Sequence, residues 1–319
     1  MESNPPVSAI IPTYNRAHLL GKAIQSVLNQ TYKDFELIIV DDGSTDNTEE
    51  MVNSFTDERI RYVRHDKNRG EAAARNTGIK AARGQYIAWQ DDDSEWLPEK
   101  LEKQIEAFRQ APPKVGVVYT GMWAVMDNKK TYWPFPSMVR KEGEIHEAVL
   151  LGYLLKQGCV GHPSVLIKKD CFKTVGMYDE TLSASQDWDM WLRVSRYYGF
   201  KLVDEPLATT YYSPATTYYG GVVAIMGVVQ LFDKHFQDFV EAGKRLLAKH
   251  YFSCGALLCM NGNRTQFAEG RRCLQKAAKI CPLNFVYRLV SFLSLFGPAL
   301  FNHGLRPLYM RIKTIRMRA

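Results

Sequence analysis

The feature that most constrains the fold is a regular alternation of strand and helix patterns over the first 110 residues. Four short apolar, β-rich runs are typical of buried strands: 7–12, 35–41, 60–65 and 85–90. The segments between and after them have the pattern of helices: 18–29, 46–55, 71–82 and 98–109. Strands and helices that alternate at this spacing form a mostly parallel sheet with crossover helices, so we predict an α/β fold.

The pattern changes twice after this region. Between 114 and 213 it is mixed, with predicted strands and one helix: strands near 115–120, 164–168 and 207–212, and a helix at 184–198. After Tyr219 the pattern is mainly helical. Residues 251–282 weakly resemble one tetratricopeptide unit, and one unit cannot stand alone, so we expect a helical hairpin packed on the preceding domain. We therefore expect a first domain at 1–219 and a helical region at 220–319.

Composition and charge limit the class of protein and its partners. A hydrophobic content of 46% is that of a globular chain. From residue 270 onward there are ten Lys or Arg and no Asp or Glu, against 31 basic and 34 acidic residues before it. A basic tail on an acidic body favours an anionic surface as partner and argues against nucleic acid. Six scattered cysteines and the lack of a signal-peptide pattern lead us to expect a cytoplasmic protein.

Three of the predicted strands end in unusually polar sequences: TYNR at 13–16, DDGSTDNT at 41–48 and QDDDSE at 90–95. Ligands of parallel α/β sheets bind beyond the carboxyl ends of the strands, so we expect the site there. The first of these loops is not G-x-G-x-x-G, and no Walker A sequence is present. These absences argue against a nicotinamide enzyme and a P-loop NTPase.

Two of the polar loops carry candidate nucleotide ligands. Asp41 and Asp42 follow a buried strand, where a carboxylate can accept hydrogen bonds from a ribose hydroxyl or a base N–H. The alternative is that both start a turn and cap the helix from Asp46. Arg75 lies about one turn into the third helix, where its guanidinium could reach a diphosphate; the alternative is an ordinary surface arginine.

The triple aspartate at 91–93 places three like charges directly after an apolar strand. Neighbouring carboxylates repel unless they are solvated or share a cation. Asp91 and Asp93 form a D-x-D pair, and such oxygen ligands suit Mg²⁺ or Mn²⁺ with phosphate oxygens completing the shell. The alternative is a solvated acidic turn. The apolar strand before the aspartates favours the metal.

The helix predicted at 184–198 carries the candidate base. Asp187 falls in its first turn, where the helix dipole favours the ionised carboxylate. Met190, Trp191 and Val194 follow at i+3, i+4 and i+7, so this side should turn inward with Asp187 at the lip of a pocket. A carboxylate placed there can accept a proton from an incoming hydroxyl. Asp189 lies on another face and is expected to support the helix.

These motifs, in this order, resemble the family-2 glycosyltransferases, which have a GT-A (Rossmann-like) fold. The resemblance covers about residues 5–215. The chain from VSAIIPTYNR to DDGSTDNT is similar to the family's opening block, NRGEAAARNTGIKAARGQYIAWQDDD to its second block, and SQDWDMWLR to its base region. The resemblance implies inverting transfer of a sugar from a nucleotide-diphosphate donor to an acceptor hydroxyl, with Mn²⁺ or Mg²⁺ as cofactor.

The resemblance also assigns roles to residues. It implies a nucleotide site formed by Pro12, Tyr14, Arg16, Asp42, Arg75, Asp91 and Asp92, in which Asp42 contacts the base, uracil in many members. Asp91 and Asp93 would hold the metal–diphosphate, with Asp93 the direct ligand, and Asp187 would be the catalytic base. GCVGHPSVLIKK resembles the strand at the sugar and acceptor site, which makes His162 and Ser164 candidates there. Trp188 either stacks on substrate or packs.

The sequence departs from the family pattern at two positions. Many relatives have D-x-D-D where this chain has Ser94, and many have a histidine after the YY strand, where this chain reads YYSPATTYYGG. The Q-x-x-R-W string of processive synthases is absent, which favours the addition of a single sugar. The alternatives are a sugar-nucleotide pyrophosphorylase, which should carry a Gly-rich basic loop after the first strand, and an inactive scaffold that binds through its helical region.

The C-terminal segment combines an apolar run with scattered cations. The uncharged stretch at 289–302 is interrupted by Gly297 and Pro298 and is short for a membrane-spanning helix, which needs about 20 residues. We expect an interfacial segment against anionic lipid, and hence a protein peripheral at the inner face of the plasma membrane, with a glycan or lipid-linked glycan as acceptor. The alternative is a helix packed on the first domain.

Overall fold

The computed structural model describes residues 4–127, 129–133, 149, 160–212, 221–261 and 263–298. The chain divides into two compact units. Unit 1 comprises Met1–Thr181 and Gln186–Thr217, and unit 2 comprises Leu182–Ser185 and Tyr218–Ala319.

Unit 1 is built on one sheet, whose described strands are β1 (Val7–Thr13), β2 (Phe35–Asp41), β3 (Ile60–Arg64), β4 (Tyr86–Trp89), β5 (Ser94–Trp96), β6 (Val115–Met126), β7 (Lys129–Trp133), β8 (Val165–Lys168) and β9 (Gly199–Tyr212). The strand order is β3-β2-β1-β4-β8-β6-β9-β5, and β7 pairs with β6. The pairs β1–β2, β2–β3, β1–β4 and β6–β9 are parallel, whereas β8 runs antiparallel to both β4 and β6. The pairs β5–β9 and β6–β7 are antiparallel as well, so four of the eight described strand pairs are parallel. The predicted α/β fold is confirmed, and the predicted parallel arrangement holds for β3, β2, β1 and β4.

The described helices of unit 1 are α1 (Ala17–Leu28), α2 (Thr48–Asn53), α3 (Glu71–Ala81), α4 (Lys100–Arg109), α5 (Cys171–Val175) and α6 (Gln186–Ser195). β1 and β2 are buried over their whole lengths, because helices cover both faces of a parallel sheet. α3 packs closely on β1 at Gly78, where an added Cβ would lie 2.5 Å from Ile10 Cγ2. These contacts fix α3, and therefore Arg75, against the carboxyl end of the central strands.

Several predicted bounds were wrong. α2 begins at Thr48, because the Asp46 carboxylate accepts from the Thr48 backbone N–H and hydroxyl. Ser164 lies in a 3₁₀ turn, His162–Ser164, before β8 begins. β9 begins at Gly199 rather than near 207. Two strands were not predicted: β5, which follows the triple aspartate directly, and β7.

The described part of unit 2 is helical: α7 (Val222–Lys234), α8 (Phe236–Asn261), α9 (Arg264–Ile280), α10 (Phe285–Leu293) and a 3₁₀ turn, Ser294–Phe296. α8 is kinked at Gly243. The expected hairpin is the end of α8 with α9, which approach at two glycines: an added Cβ on Gly255 would lie 2.7 Å from the Gly270 carbonyl oxygen. None of the helices in the described ranges is both long and apolar enough to cross a bilayer.

Candidate active site

The polar ends of three neighbouring strands meet at one edge of the sheet, as predicted. β1 lies between β2 and β4, so the loops after these three strands are adjacent. Thr13, at the end of β1, contacts both neighbours. Its carbonyl oxygen accepts from the Asp42 N–H at 2.9 Å, and its hydroxyl donates to Asp92 Oδ2 at 2.8 Å.

Arginines compensate the charge of the triple aspartate. Arg16 Nη1 donates to Asp92 Oδ1 and to Asp93 Oδ2, both at 2.9 Å. Arg75 Nη2 donates to Asp91 Oδ1 at 3.1 Å. The three carboxylates are therefore not a solvated acidic turn, and each has a cationic partner.

The compensation is incomplete. Burial is the main cause that raises the pKa of Asp91 to about 8. The negative charges of Asp93, Glu71 and Asp92 also raise this pKa, and the positive charge of Arg75 lowers it without cancelling the shift. Burial also raises the pKa of Asp92 to about 6, against the attraction of Arg16. The raised pKa values mean that the ionised forms of Asp91 and Asp92 are destabilised in this site, and a further bound cation would stabilise them.

The donor set fits a divalent cation that also binds phosphate. Within the described ranges, no group of three or more His, Cys, Asp or Glu side chains is arranged to hold a metal ion. Mg²⁺, however, is usually held by one or two carboxylates together with the phosphates of the substrate. Among the described residues, the hydrogen-bond partner of Asp93 Oδ1 is Ser94 Oγ at 3.5 Å, so this carboxylate oxygen can bind a cation.

Arg75 is buried at the centre of the site, so the alternative of an ordinary surface arginine is excluded. Its side chain is 3% exposed and forms ion pairs with Glu71 at 2.6 Å and Asp91 at 3.1 Å. The guanidinium carbon lies 5.9 Å from the Trp89 ring centre and 5.8 Å from that of Tyr178. Its Nε is buried without a hydrogen-bond partner. Such an orphaned donor is rare and indicates that the group is placed for something besides its protein contacts.

Asp187 lies near the same guanidinium, in the first turn of α6. Burial raises the pKa of the Asp187 carboxyl to about 6, and the positive charge of Arg75 opposes that shift. Arg75 also acts on Asp91, so the candidate base and the acidic cluster face one cation from different elements. Met190, Trp191 and Val194 are fully buried, which confirms the predicted inward face of the helix.

Asp189 has the structural role expected for it. It is fully buried and pairs with Arg193 at 2.8 Å. Arg193 in turn donates to the carbonyl oxygens of Val175 and Met177. This network ties α6 to the loop after α5 and thereby orients the first turn that carries Asp187.

The carboxylate of Asp42 organises the loop before α3. It accepts from the backbone N–H groups of Arg69 at 2.9 Å and Gly70 at 2.7 Å, and its Oδ1 lies 2.7 Å from His65 Nδ1. Asp41 accepts from the Ser44 N–H at 2.8 Å. The alternative interpretation was that Asp41 and Asp42 start a turn and cap the next helix. Asp41 does start the turn, but neither side chain caps α2.

The other predicted site residues differ in how far they are exposed to solvent. Pro12 is buried within β1, whereas the ring of Tyr14 is 42% exposed beside the strand end. Ser164 is fully buried and donates its hydroxyl to the Gly161 carbonyl, and His162 Nε2 lies 3.0 Å from the Tyr178 hydroxyl. Because both residues are buried, a bound sugar would contact them only if neighbouring side chains moved.

Sequence reasoning missed three side chains that shape the site. Tyr178 lies against the Arg75 guanidinium, and Asn76 holds it there by exchanging hydrogen bonds with the Tyr178 backbone at 2.9 and 3.0 Å. His65 bridges Asp42 to the Thr77 hydroxyl at 2.8 Å. The adjacent positions of Asn76 and Arg75 were the available signal for Asn76. Nothing local marks Tyr178 or His65.

Comparison with known proteins identifies a family for the part of the chain that contains the loops after β1, β2 and β4. The family model for glycosyl transferase family 2 matches residues 8–171. The Escherichia coli UDP-Glc:alpha-D-GlcNAc-diphosphoundecaprenol beta-1,3-glucosyltransferase WfgD is 46% identical over 99 residues, which are 31% of this chain and 39% of that protein. An uncharacterized glycosyltransferase of Rickettsia bellii is 38% identical over 195 residues, 60% of this chain. This match covers only 28% of the length of the Rickettsia bellii protein. An uncharacterized glycosyltransferase of Rickettsia typhi is 37% identical over 201 residues, which are 61% of the length of that protein.

Solved structures show the same fold. The Staphylococcus aureus TarS fragment 1–349 in complex with UDP-GlcNAc has a TM-score of 0.67 and 15% identity, and the match covers 96% of this chain and 91% of that one. The mannosyltransferase PcManGT of Pyrobaculum calidifontis, solved with GDP-Man and Mn²⁺, has a TM-score of 0.57 and 19% identity, over 95% of this chain and 88% of that one. At these identities the likeness concerns the fold alone.

Proposed function

The chain belongs to glycosyl transferase family 2, and from this premise we propose that it moves one sugar per cycle from a UDP-sugar to a hydroxyl of a lipid-linked glycan. Transfer proceeds with inversion at the anomeric carbon and is assisted by Mn²⁺ or Mg²⁺. The nucleotide contacts are those that the sequence predicts: Pro12, Tyr14, Arg16, Asp42, Arg75, Asp91 and Asp92.

One observation carries the proposal: Asp91 and Asp187, 96 positions apart, interact with the same buried guanidinium of Arg75. An inverting transferase needs a base on one side of the anomeric carbon and stabilisation of the departing diphosphate on the other. The charges of both the base candidate and the acidic cluster act on Arg75, so we infer that a donor held by the cluster presents its sugar towards Asp187. The raised pKa of Asp187, about 6, suits a base that works near neutral pH.

The bonds change in one displacement. The Asp187 carboxylate takes the proton of the acceptor hydroxyl while that oxygen forms a bond to the anomeric carbon. The bond between the anomeric carbon and the phosphate oxygen breaks, and the nucleoside diphosphate leaves with the electron pair. The orphaned Nε of Arg75 can donate to the departing phosphate, and alignment of donor and acceptor supplies a large part of the acceleration.

Asp93 and Asp91 are the residues that would hold the divalent cation. When bound, the cation offsets the negative charge that develops on the diphosphate. Two solved structures with this fold support a nucleotide-sugar donor, since one is a complex with UDP-GlcNAc and the other with GDP-Man, and the second of them also contains Mn²⁺.

The acceptor and the location are inferred from a relative. WfgD, by its name, adds glucose from UDP-Glc to a sugar on diphosphoundecaprenol, a lipid-linked acceptor. We infer an acceptor of the same class for this chain. Such an acceptor requires the protein to work at the membrane surface, and we place it at the cytoplasmic face. His162, Ser164 and Trp188 remain candidates for shaping the sugar and acceptor pocket.

The experiment has two stages. Calorimetric titration with UDP, GDP and their sugars, with and without Mn²⁺, identifies the donor; we expect binding of a UDP-sugar that EDTA abolishes. Transfer to a lipid-linked saccharide is then measured for the wild type and Asp187→Asn. The variant should bind donor as the wild type does and lose turnover by about 10²–10⁴-fold. Wild-type turnover by Asp187→Asn refutes the base assignment.

The same data separate the alternatives. Absence of binding by any nucleotide indicates an inactive scaffold. Formation of a nucleotide sugar from a sugar phosphate and a nucleoside triphosphate indicates a pyrophosphorylase. Full transfer activity in EDTA rejects the role of the metal while leaving the transferase intact.

A further inference from the structure

The last helix in the described part of unit 2 exposes large apolar side chains. α10 and the segments on either side of it contain six such residues: Leu283 (100% exposed), Phe285 (73%), Val286 (40%), Phe292 (55%), Leu295 (52%) and Phe296 (58%). We call these six residues the α10 surface. Six exposed large apolar side chains within 14 positions form a concentration that marks an interaction site rather than scattered surface residues.

The opposite face of α10 is packed, so the exposure does not come from a detached helix. Tyr287 stacks on Phe252 of α8, with ring centres 4.7 Å apart. Val290 and Leu293 pack against the small buried cluster between α8 and α9. Ser294 is fully buried and donates its hydroxyl to the Ser291 carbonyl at 2.6 Å. The α10 surface is therefore presented on a fixed scaffold.

Cations border this surface. Lys279, in the last turn of α9, and Arg288, on α10, line a cavity of about 590 Å³ between the two helices. The structure records no acidic partner for either side chain among the described residues. From residue 270 to the end, the chain contains ten basic and no acidic residues. The cavity is thus suited to an anionic group such as a phosphate.

We propose that the α10 surface binds a bilayer that contains anionic phospholipid. The apolar side chains enter the boundary between headgroups and acyl chains, and Lys279 and Arg288 contact lipid phosphates. The positive charge favours an anionic bilayer over a second copy of the chain, because a contact between two copies of this surface would bring Lys279 and Arg288 of each copy together without acidic partners. The inference requires nothing of the catalytic site. It places the interfacial role expected of the C-terminal segment on α10, while residues 299–319 of that segment lie outside the described part of the chain.

Binding to vesicles tests the proposal. Sedimentation with sucrose-loaded vesicles of phosphatidylcholine alone, or with 30% phosphatidylglycerol, should show binding at least about tenfold tighter to the anionic vesicles at low salt. The double variant Phe292→Ser, Phe296→Ser should weaken this binding at least about tenfold, because both rings lose their transfer into the interface. Met126→Ser is the matched control, since Met126 is a 57% exposed apolar side chain of unit 1, and it should bind as the wild type does.

A second pair of variants tests the charges. Lys279→Gln with Arg288→Gln should reduce the preference for anionic vesicles by about 20- to 30-fold and leave binding to neutral vesicles unchanged. All these side chains are exposed or line an open cavity, so melting temperatures should stay at the wild-type value and confirm folding.

Two outcomes overturn the proposal. Equal binding by the wild type and the Phe292→Ser, Phe296→Ser variant shows that the α10 surface does not contact lipid. Absence of vesicle binding, together with a dimer that the double variant converts to monomers in sedimentation velocity, assigns the surface to a second copy instead. Neither outcome bears on nucleotide binding, so a failure here is distinct from a failure of the proposed function.

Discussion

The acidity of Asp187 gives the sharpest prediction, because it connects a structural environment to a rate. A general base works only when it is ionised. Burial raises the pKa of the Asp187 carboxyl from 3.8 to about 6, which places its protonation inside an accessible pH range. We therefore expect transfer activity to fall on the acid side with a midpoint near that value.

The magnitude follows from the fraction ionised. With a pKa of about 6, Asp187 is about nine-tenths ionised at pH 7 and about one-tenth at pH 5, so the rate should fall about tenfold between them. An aspartate with the ordinary value would lose less than about a tenth of its activity over the same interval. The direction is fixed because protonation removes the lone pair that accepts the proton of the hydroxyl.

The assay is kcat/KM for the acceptor at saturating donor and Mn²⁺, measured from pH 5 to pH 8. Burial also raises the pKa of Asp92 to about 6, but Glu71 is not among the causes of that shift, so the response of the acid limb to a change at Glu71 assigns the limb to Asp187. Glu71→Gln provides a second test: Glu71 raises the pKa of Asp187, and removing its charge should shift the limb to lower pH. A flat profile between pH 5 and pH 7, or the same limb in Asp187→Asn, would refute the reasoning.

Three further predictions concern the cluster and the loops. Arg16→Met should raise the affinity for Mn²⁺ in the absence of nucleotide by about five- to tenfold, measured by electron paramagnetic resonance, because a positive charge 2.9 Å from Asp93 disappears; Arg16→Lys keeps the charge and should not, and equal affinities would contradict this. Arg75→Met should lower the free energy of unfolding by about 2–3 kcal/mol in urea, since it removes the buried guanidinium that pairs with the partly buried carboxylate of Asp91, and a loss below about 1 kcal/mol would show that Arg75 is dispensable for folding. Gly43→Ala should destabilise by about 2–4 kcal/mol in urea, because Gly43 has φ +78° and an added Cβ would lie 2.6 Å from the Lys67 carbonyl carbon. Gly70→Ala, at φ +93° and ψ 156° with no atom within 4 Å of the added Cβ, should cost about 1–3 kcal/mol from backbone strain alone and less than Gly43→Ala, and equal losses would show that crowding at Gly43 is unimportant.

The sequence predicted the centre of the sheet because the signals there are local. β1 and β2 are uninterrupted apolar runs that end in polar turns, and burial on both faces requires such runs. The helices between them carry the matching periodicity: in α1 the buried residues are Leu20, Ala23, Ile24, Val27 and Leu28. Once the parallel order is inferred, the position of the polar loops at one edge follows.

The sequence missed elements whose identity depends on a neighbour. β5 has three residues and exists as a strand because it pairs with β9, from Ser94↔Thr210 to Trp96↔Ala208. The beginning of β9 at Gly199 likewise depends on its long pairing with β6. Neither segment has a pattern long enough to be distinguished from a loop before its partner is known.

The sequence by itself determined which chemical groups the site contains: three consecutive aspartates, an arginine in the first loop, another in α3, and a carboxylate opening α6. Only the tertiary structure decided how they are paired. Arg16 reaches Asp92 and Asp93 across 76 and 77 positions, and the buried guanidinium of Arg75 pairs with Asp91 and interacts electrostatically with Asp187. These pairings, and the pKa values that follow from them, depend on strand order and on the exclusion of water. Both are properties of the packed sheet and its helices, and no local segment of the chain encodes them.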